Sequence, residues 1–167
     1  MSPRFEVPEE QAIRVMPGPL LATASAVFER LGIPLADARL AADVLVSADL
    51  RAVDSHGVSG LLRSYVTALS NGETNPKPDW KVVREGPAVA TVDCDRGLGV
   101  VVAPKAMELA VQKAKVTGVG MVAMRNGRAT VMVHLPGGKR LHGAPPHFYT
   151  SAGRGGAPWP DAACLAL

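Results

Sequence analysis

Apolar positions recur every three or four residues from about Leu20 to Leu31, where Leu20, Leu21, Ala24, Val27, Phe28 and Leu31 share one side of a predicted helix. Gly32 ends the pattern and Ile33-Pro34 restarts the chain. Ala38, Ala41, Ala42, Leu45, Ala48 and Ala52 then supply the narrow face of a second helix, small enough to let a neighbour approach closely. The two read as a helical hairpin. After Asp54-Ser55 a third helix is expected, with Val58, Leu61, Leu62, Tyr65, Val66 and Leu69 on its buried side and Asn71-Gly72 as its stop.

The period then changes. Each residue before a proline in Thr74-Asn-Pro-Lys-Pro78 is pushed out of the helical region, so this stretch reads as extended. Trp80–Arg84 and Ala88–Val92 are rich in β-branched residues and flank Glu85-Gly-Pro87, the pattern of a hairpin. Asp93–Gly99 reads as a loop. Ala106, Met107, Ala110, Val111 and Ala114 mark a fourth helix, and Val119–Met124 a buried strand. From Ala129 onward glycine or proline recurs every few residues, too often for a helix or a central strand, and that tail reads as irregular.

Charge sharpens this division. Residues 1–128 carry 15 basic and 14 acidic side chains, whereas the tail carries Lys139, Arg140 and Arg154 against Asp161, so the net charge of +3 is largely a property of the tail. No basic stripe interleaved with aromatics appears, which argues against nucleic-acid binding. No apolar run reaches the roughly 20 residues that cross a bilayer, and the charged N-terminus lacks the apolar stretch of a signal peptide. Cys94 and Cys164 have neither metal-ligand nor redox spacing, which fits a reducing compartment. The expected setting is the cytoplasm.

The candidate chemistry centres on Asp54-Ser55-His56-Gly57. An imidazole titrates near neutral pH and can give or take a proton during turnover, and Ser55 is placed either to cap the following helix or to hold the ring. The plainer reading makes Asp54 or Ser55 an ordinary N-cap and His56 an exposed residue of the first turn. Gly97-Leu-Gly99 and Gly118-Val-Gly120 supply only two glycines each, short of a dinucleotide fingerprint, and read as turn and strand-entry glycines. Asp93 and Asp95 lack a third carboxylate to complete a metal loop, and His134, His142 and His147 lack regular spacing, so no metal site is expected.

Several separated blocks combine into something more specific. Ala48-Asp-Leu-Arg-Ala-Val-Asp-Ser-His-Gly-Val-Ser59, Leu62-Arg-Ser-Tyr65, Gly72 with Asn75-Pro76, Val92-Asp-Cys-Asp-Arg-Gly-Leu-Gly99, Ala106-Met107 and Met124-Arg-Asn126 resemble, in order, the malate/L-lactate dehydrogenase family. These are NAD(P)-dependent 2-oxoacid reductases distinct from the Rossmann lactate dehydrogenases, and the likeness covers about residues 10–128. It implies His56 as acid/base on the substrate hydroxyl or carbonyl, with Ser55 orienting it. It also implies NAD or NADP as cofactor, a small 2-hydroxy or 2-oxo acid as substrate, and a homodimer. Cofactor-binding residues are not assigned. Many members place a carboxylate-binding arginine four residues after the histidine; here that position is Gly60, and the later arginine of the pattern is matched by Arg63.

The expected fold class is therefore α/β. A helical N-terminal region over residues 1–72 leads into an incomplete mixed sheet of this non-Rossmann fold over 73–128, and the tail over 129–167 is read as disordered or frameshifted. After Met124-Arg-Asn126 the family continues to a histidine near the cofactor, where this chain reads Gly127-Arg128-Ala129. The chain is accordingly expected to be a truncated and inactive family oxidoreductase. The alternative is a non-catalytic module that pairs with a full-length family subunit.

Overall fold

The computed structural model describes residues 8–127 and 163–166. The chain divides into two compact units, Met1–Thr67 and Ala68–Leu167, with the division inside the third helix. Residues 128–162, which include most of the tail read as irregular and all three of its histidines, lie outside the described residues.

In the first unit, helix α1 spans Pro17–Arg30. Pro17 suits a first turn because its missing N–H would have no partner there. The helix ends in a Schellman motif: Gly32 takes a left-handed φ of 90°, its N–H bonds Glu29 O at 2.9 Å, and Ile33 N–H bonds Phe28 O at 3.2 Å. Ile33 is buried beside it, the usual apolar partner of that motif. Helix α2, Leu35–Asp49, packs against α1 through Ala38, Ala41, Ala42 and Leu45, all fully buried. Small side chains on this face let the two backbones come close, and Phe28 fills the remaining space.

The expected second helix included Ala52, but α2 stops at Asp49. Ala52 turns left-handed at φ 56°, with Ala52 N–H on Asp49 O and Val53 N–H on Ala48 O, both at 2.9 Å. These two bonds occupy the last carbonyls of α2 and hold an alanine where glycine is normally preferred. A 3-10 turn, Asp54–His56, precedes helix α3, Val58–Ser70. Tyr65 of α3 is buried, its ring centroid 6.4 Å from that of Phe28.

In the second unit, strand β1 (Lys81–Glu85) pairs antiparallel with β2 (Val89–Asp93), as the β-branched runs predict, with an irregularity between Val82 and Arg84. Helix α4, Gly99–Thr117, carries the chain from β2 to β3 (Gly120–Arg125), which pairs parallel to β2 in the register Ala90↔Val122 and Val92↔Met124. Strand β4, Ala163–Ala166, joins β3 antiparallel, giving the order β1-β2-β3-β4. Alternate residues Ala90, Val92, Val122 and Met124 meet Val102, Ala103, Ala106, Met107 and Ala110 of α4 in one core. Helix α4 starts well before the predicted Ala106 because Leu98, Gly99, Val100 and Val101 are themselves buried and its first turns run through Pro104. No described helix is long and apolar enough to cross a membrane.

Candidate functional site

Ser55 and His56 are brought together. Ser55 Oγ lies 2.8 Å from His56 Nδ1, so the serine holds the ring instead of capping a helix. His56 does not open α3 as the sequence pattern predicts. It is the last residue of the 3-10 turn, with His56 N–H on Val53 O at 2.9 Å and Gly57 N–H on Asp54 O at 3.2 Å. Gly57, buried, separates it from α3. His56 as a whole is half-buried.

Helix α3 begins with orphan amides that the turn leaves uncapped. The cap comes from Asp49, whose Oδ2 accepts Val58 N–H at 2.9 Å. Burial raises the Asp49 carboxyl above the ordinary aspartate value; the Val58 amide opposes this, and the nearby Asp54 charge adds to it. Nothing in the α2 pattern singles Asp49 out, since a polar residue at the end of an amphipathic helix is unremarkable in sequence. Gly60 lies in the first turn of α3, close to the 3-10 turn. A Cβ there would come within 2.6 Å of Ser55 O and 2.7 Å of Ser55 C, so glycine lets the Asp54–Ser55 backbone sit directly on the helix.

Arg63 is exposed on α3, about 7.5 Å along the axis from Val58 at 1.5 Å per residue. Among the described residues no hydrogen bond or ion pair joins its side chain to Ser55 or His56. Its carbonyl accepts Thr67 Oγ1 at 3.0 Å, a bond internal to the helix.

A second polar cluster occupies the second unit, at the ends of the parallel strands. Asp93 Oδ1 accepts Asp95 N–H at 3.0 Å and Asn126 Nδ2 at 3.1 Å, while Oδ2 accepts Arg125 Nε at 3.1 Å. Asp95 Oδ2 accepts Asn75 Nδ2 at 2.8 Å and Asp79 N–H at 3.0 Å. Arg96 N–H bonds Asn126 O at 2.8 Å, and Asn75 N–H bonds Arg96 O at 3.0 Å. Three residues here hold positive φ without being glycine: Asp95 at 46°, Arg96 at 56° and Asn126 at 54°. Each such conformation costs on the order of 1 kcal/mol and persists because these bonds over-determine it.

Both aspartates are thus committed to the protein's own donors. No cluster suited to a metal ion occurs among the described residues. The Asp95 amide first and Asn126 next hold the Asp93 carboxyl below the ordinary aspartate value of 3.8; burial opposes them, and Arg125 adds a lesser lowering. A depressed carboxylate stabilises the folded state above its unfolded value, and that stabilisation is lost as pH falls through the lower folded value. The loop holding Asp95 and Arg96 is therefore expected to keep its amide protection down to about pH 3.8 and lose it below. Loss centred at or above that pH in an exchange titration would contradict the arrangement.

The glycines do not form a dinucleotide cradle. A Cβ on Gly97 would meet Pro78 Cγ at 2.7 Å and Val102 Cγ2 at 2.8 Å, so that glycine serves close packing. The α4 N-terminus beside it is buried and does not open to a pyrophosphate. The described residues therefore do not fit a nicotinamide dinucleotide at this loop.

The sequence model of malate/L-lactate dehydrogenase matches residues 17–135. L-sulfolactate dehydrogenase of Methanocaldococcus jannaschii is 55% identical over 100 residues, covering 60% of this chain and 29% of the relative. Malate dehydrogenase of Pyrococcus horikoshii is 48% identical over 118 residues, covering 71% of this chain and 32% of the relative. Among solved structures, sulfolactate dehydrogenase from M. jannaschii superposes with a TM-score of 0.67 at 49% identity, covering 69% of this chain and 33% of that one. Malate dehydrogenase from P. horikoshii OT3 gives 0.68 at 46%, covering 70% and 33%. The chain spans about a third of the length of the curated relatives it matches. With more than half of its residues under the family model, the chain belongs to the malate/L-lactate dehydrogenase family.

Proposed function

We propose that this chain carries the proton-handling part of an NAD(P)-dependent interconversion of a 2-hydroxy acid and a 2-oxo acid. The observation that carries this reading is the 2.8 Å contact between Ser55 Oγ and His56 Nδ1. In the tautomer that donates Nδ1–H to Ser55 Oγ, the lone pair is on Nε2, which has no protein hydrogen bond among the described residues. Nε2 then accepts the hydroxyl proton when the alcohol is oxidised and returns it to the carbonyl oxygen in reduction. Once protonated, the ring still donates from Nδ1 to Ser55, so the serine holds the same orientation in both charge states.

Arg63 is the candidate for the substrate carboxylate, since a guanidinium offers a planar pair of donors and Gly60 offers none. The relatives' names point to the substrate class: malate and sulfolactate are both 2-hydroxy acids with a second acidic group. The hydride partner in this reading is NAD or NADP. A homodimer and a cytoplasmic setting belong to the same reading.

Oxamate, a stable mimic of a 2-oxo acid, tests it on the isotope-labelled full chain. Saturable shifts are expected at Ser55, His56 and Arg63, with affinity in the millimolar range, about −4 kcal/mol, and the His56→Ala chain should lose them. No shift at these residues would sink the proposal. Because the match spans only a third of its relatives, the chain by itself is expected to oxidise NADH or NADPH with oxaloacetate or pyruvate no faster than background. In any assembly that restores turnover, His56→Ala should lower it about 10²–10⁴-fold.

A further inference from the structure

The turn that carries Ser55 and His56 is an excursion between two helices, and one residue holds both of its ends. Asp49 closes α2; its carbonyl accepts Ala52 N–H at 2.9 Å, and its carboxylate accepts Val58 N–H, the first amide of α3, also at 2.9 Å. Between these anchors the described residues give the turn one further tie to α2, Val53 N–H on Ala48 O at 2.9 Å, its own short backbone bonds and the Ser55–His56 contact.

Gly57 supplies an independent observation. It is buried, and a Cβ built on it would overlap the Asp49 carboxylate. The carboxylate therefore occupies the volume that a side chain next to His56 would fill. A glycine at 57 and an aspartate at 49 are two halves of one fit, and neither the helical pattern of α2 nor the Ser-His motif reveals it. The carboxyl's elevated protonation range, set first by burial, agrees with a group kept close to protein.

We propose that Asp49 is a positioning residue for the acid/base turn, fixing where the Ser55–His56 pair sits by bridging the end of α2 to the start of α3 through the space left by Gly57. The placement rests on the proposed function only for its catalytic meaning; the geometry stands without it. Ser55 cannot provide the bridge, because its hydroxyl is committed to the ring. Asparagine at 49 would keep an oxygen acceptor of the same reach, whereas alanine would remove it.

The test uses the full chain labelled with ¹⁵N on backbone and imidazole, as wild type and as Asp49→Asn, Asp49→Ala and Gly57→Ala. In Asp49→Ala, exchange of the Val58 amide is expected to rise about fivefold or more, the equivalent of losing a helix cap. The His56 Nδ1 resonance should shift in the same chain toward the value of an imidazole averaging its tautomers. Asp49→Asn should hold Val58 exchange within about twofold of wild type and leave the ring signal in place. Gly57→Ala keeps every atom of Asp49 yet displaces its carboxylate, so it should reproduce the Asp49→Ala ring signal.

A role as helix cap alone would raise Val58 exchange and leave the His56 resonance unmoved, and that result overturns the proposal. Should Asp49→Ala fail to fold, the comparison of Asp49→Asn with Gly57→Ala decides, an unmoved ring signal in Gly57→Ala again overturning it. None of these readouts uses a substrate. A chain that shows them but ignores oxamate keeps the positioning role and loses the proposed function.

Discussion

Replacing Gly120 with alanine is expected to destabilise the second unit by about 3 kcal/mol, the upper range for overpacking a core. Gly120 opens β3 against α4, and a Cβ there would collide with Ala110 O and lie 2.8 Å from Ala110 C and 2.9 Å from Ala114 N. These are backbone atoms of a regular helix, so no side chain can swing aside to make room. Relief requires α4 to retreat from the strand, and retreat opens the seam where Val122 meets Ala106, Met107 and Ala110. Valine at 120 should cost more still. Urea unfolding followed through amide signals of β2 and β3 measures the effect, and a change under about 0.5 kcal/mol would show that strand and helix are not in the contact described.

The second large effect is alkaline. Tyr65 is 3% exposed, and among the described residues its buried hydroxyl has no hydrogen-bond partner. Burial pushes its ionisation up to about 12 from the ordinary 10.0. Between these values an unfolded chain releases the phenol proton while the folded chain keeps it, so the folded state loses stability as pH rises past 10. The loss grows to about 2 kcal/mol by pH 12. Tyr65→Phe should remove this dependence. It should also raise stability at neutral pH by about 1 kcal/mol or more, because it deletes a buried hydroxyl that bonds no described residue. A Tyr65 absorbance titration with a midpoint near 10 would show that water reaches the hydroxyl.

Much of this architecture is legible in the chain because its helices and strands bury one face at the period each demands. Phe28, Leu45 and Tyr65 fall on predicted apolar faces and are core residues, and the β-branched runs on either side of Gly86 do form a hairpin. The first turns of α4 are not legible: Pro104 and the glycines around Leu98 carry loop signals, and only packing against β2 and β3 overrides them. Ala52 looks helical by spacing, and nothing in an alanine announces the left-handed turn that ends α2.

The same limit applies to the site. Ser55 and His56 are adjacent in sequence, so their contact could be anticipated, whereas the Asp49 bridge spans nine positions and depends on how two helices meet. The Asp93 cluster is still less visible, because its donors come from Asp95, Arg125 and Asn126, the last two reaching it across a helix and a strand. Spacing rules capture periodic burial within an element. They do not capture polar groups that meet where elements end.

The irregularity in β1 bears on how this protein behaves at high concentration. β1 is an outer strand of the sheet, and Val82 and Val83 are 40% and 42% exposed, an apolar pair on a row of backbone donors and acceptors that no other described strand pairs. A straight strand of that kind would offer a template for another molecule to add to. The shift in register between Val82 and Arg84 breaks the regular spacing of those donors, and Lys81, Arg84 and Glu85 would have to bring their charges into any added ladder. Edge-to-edge self-association through β1 is thereby opposed.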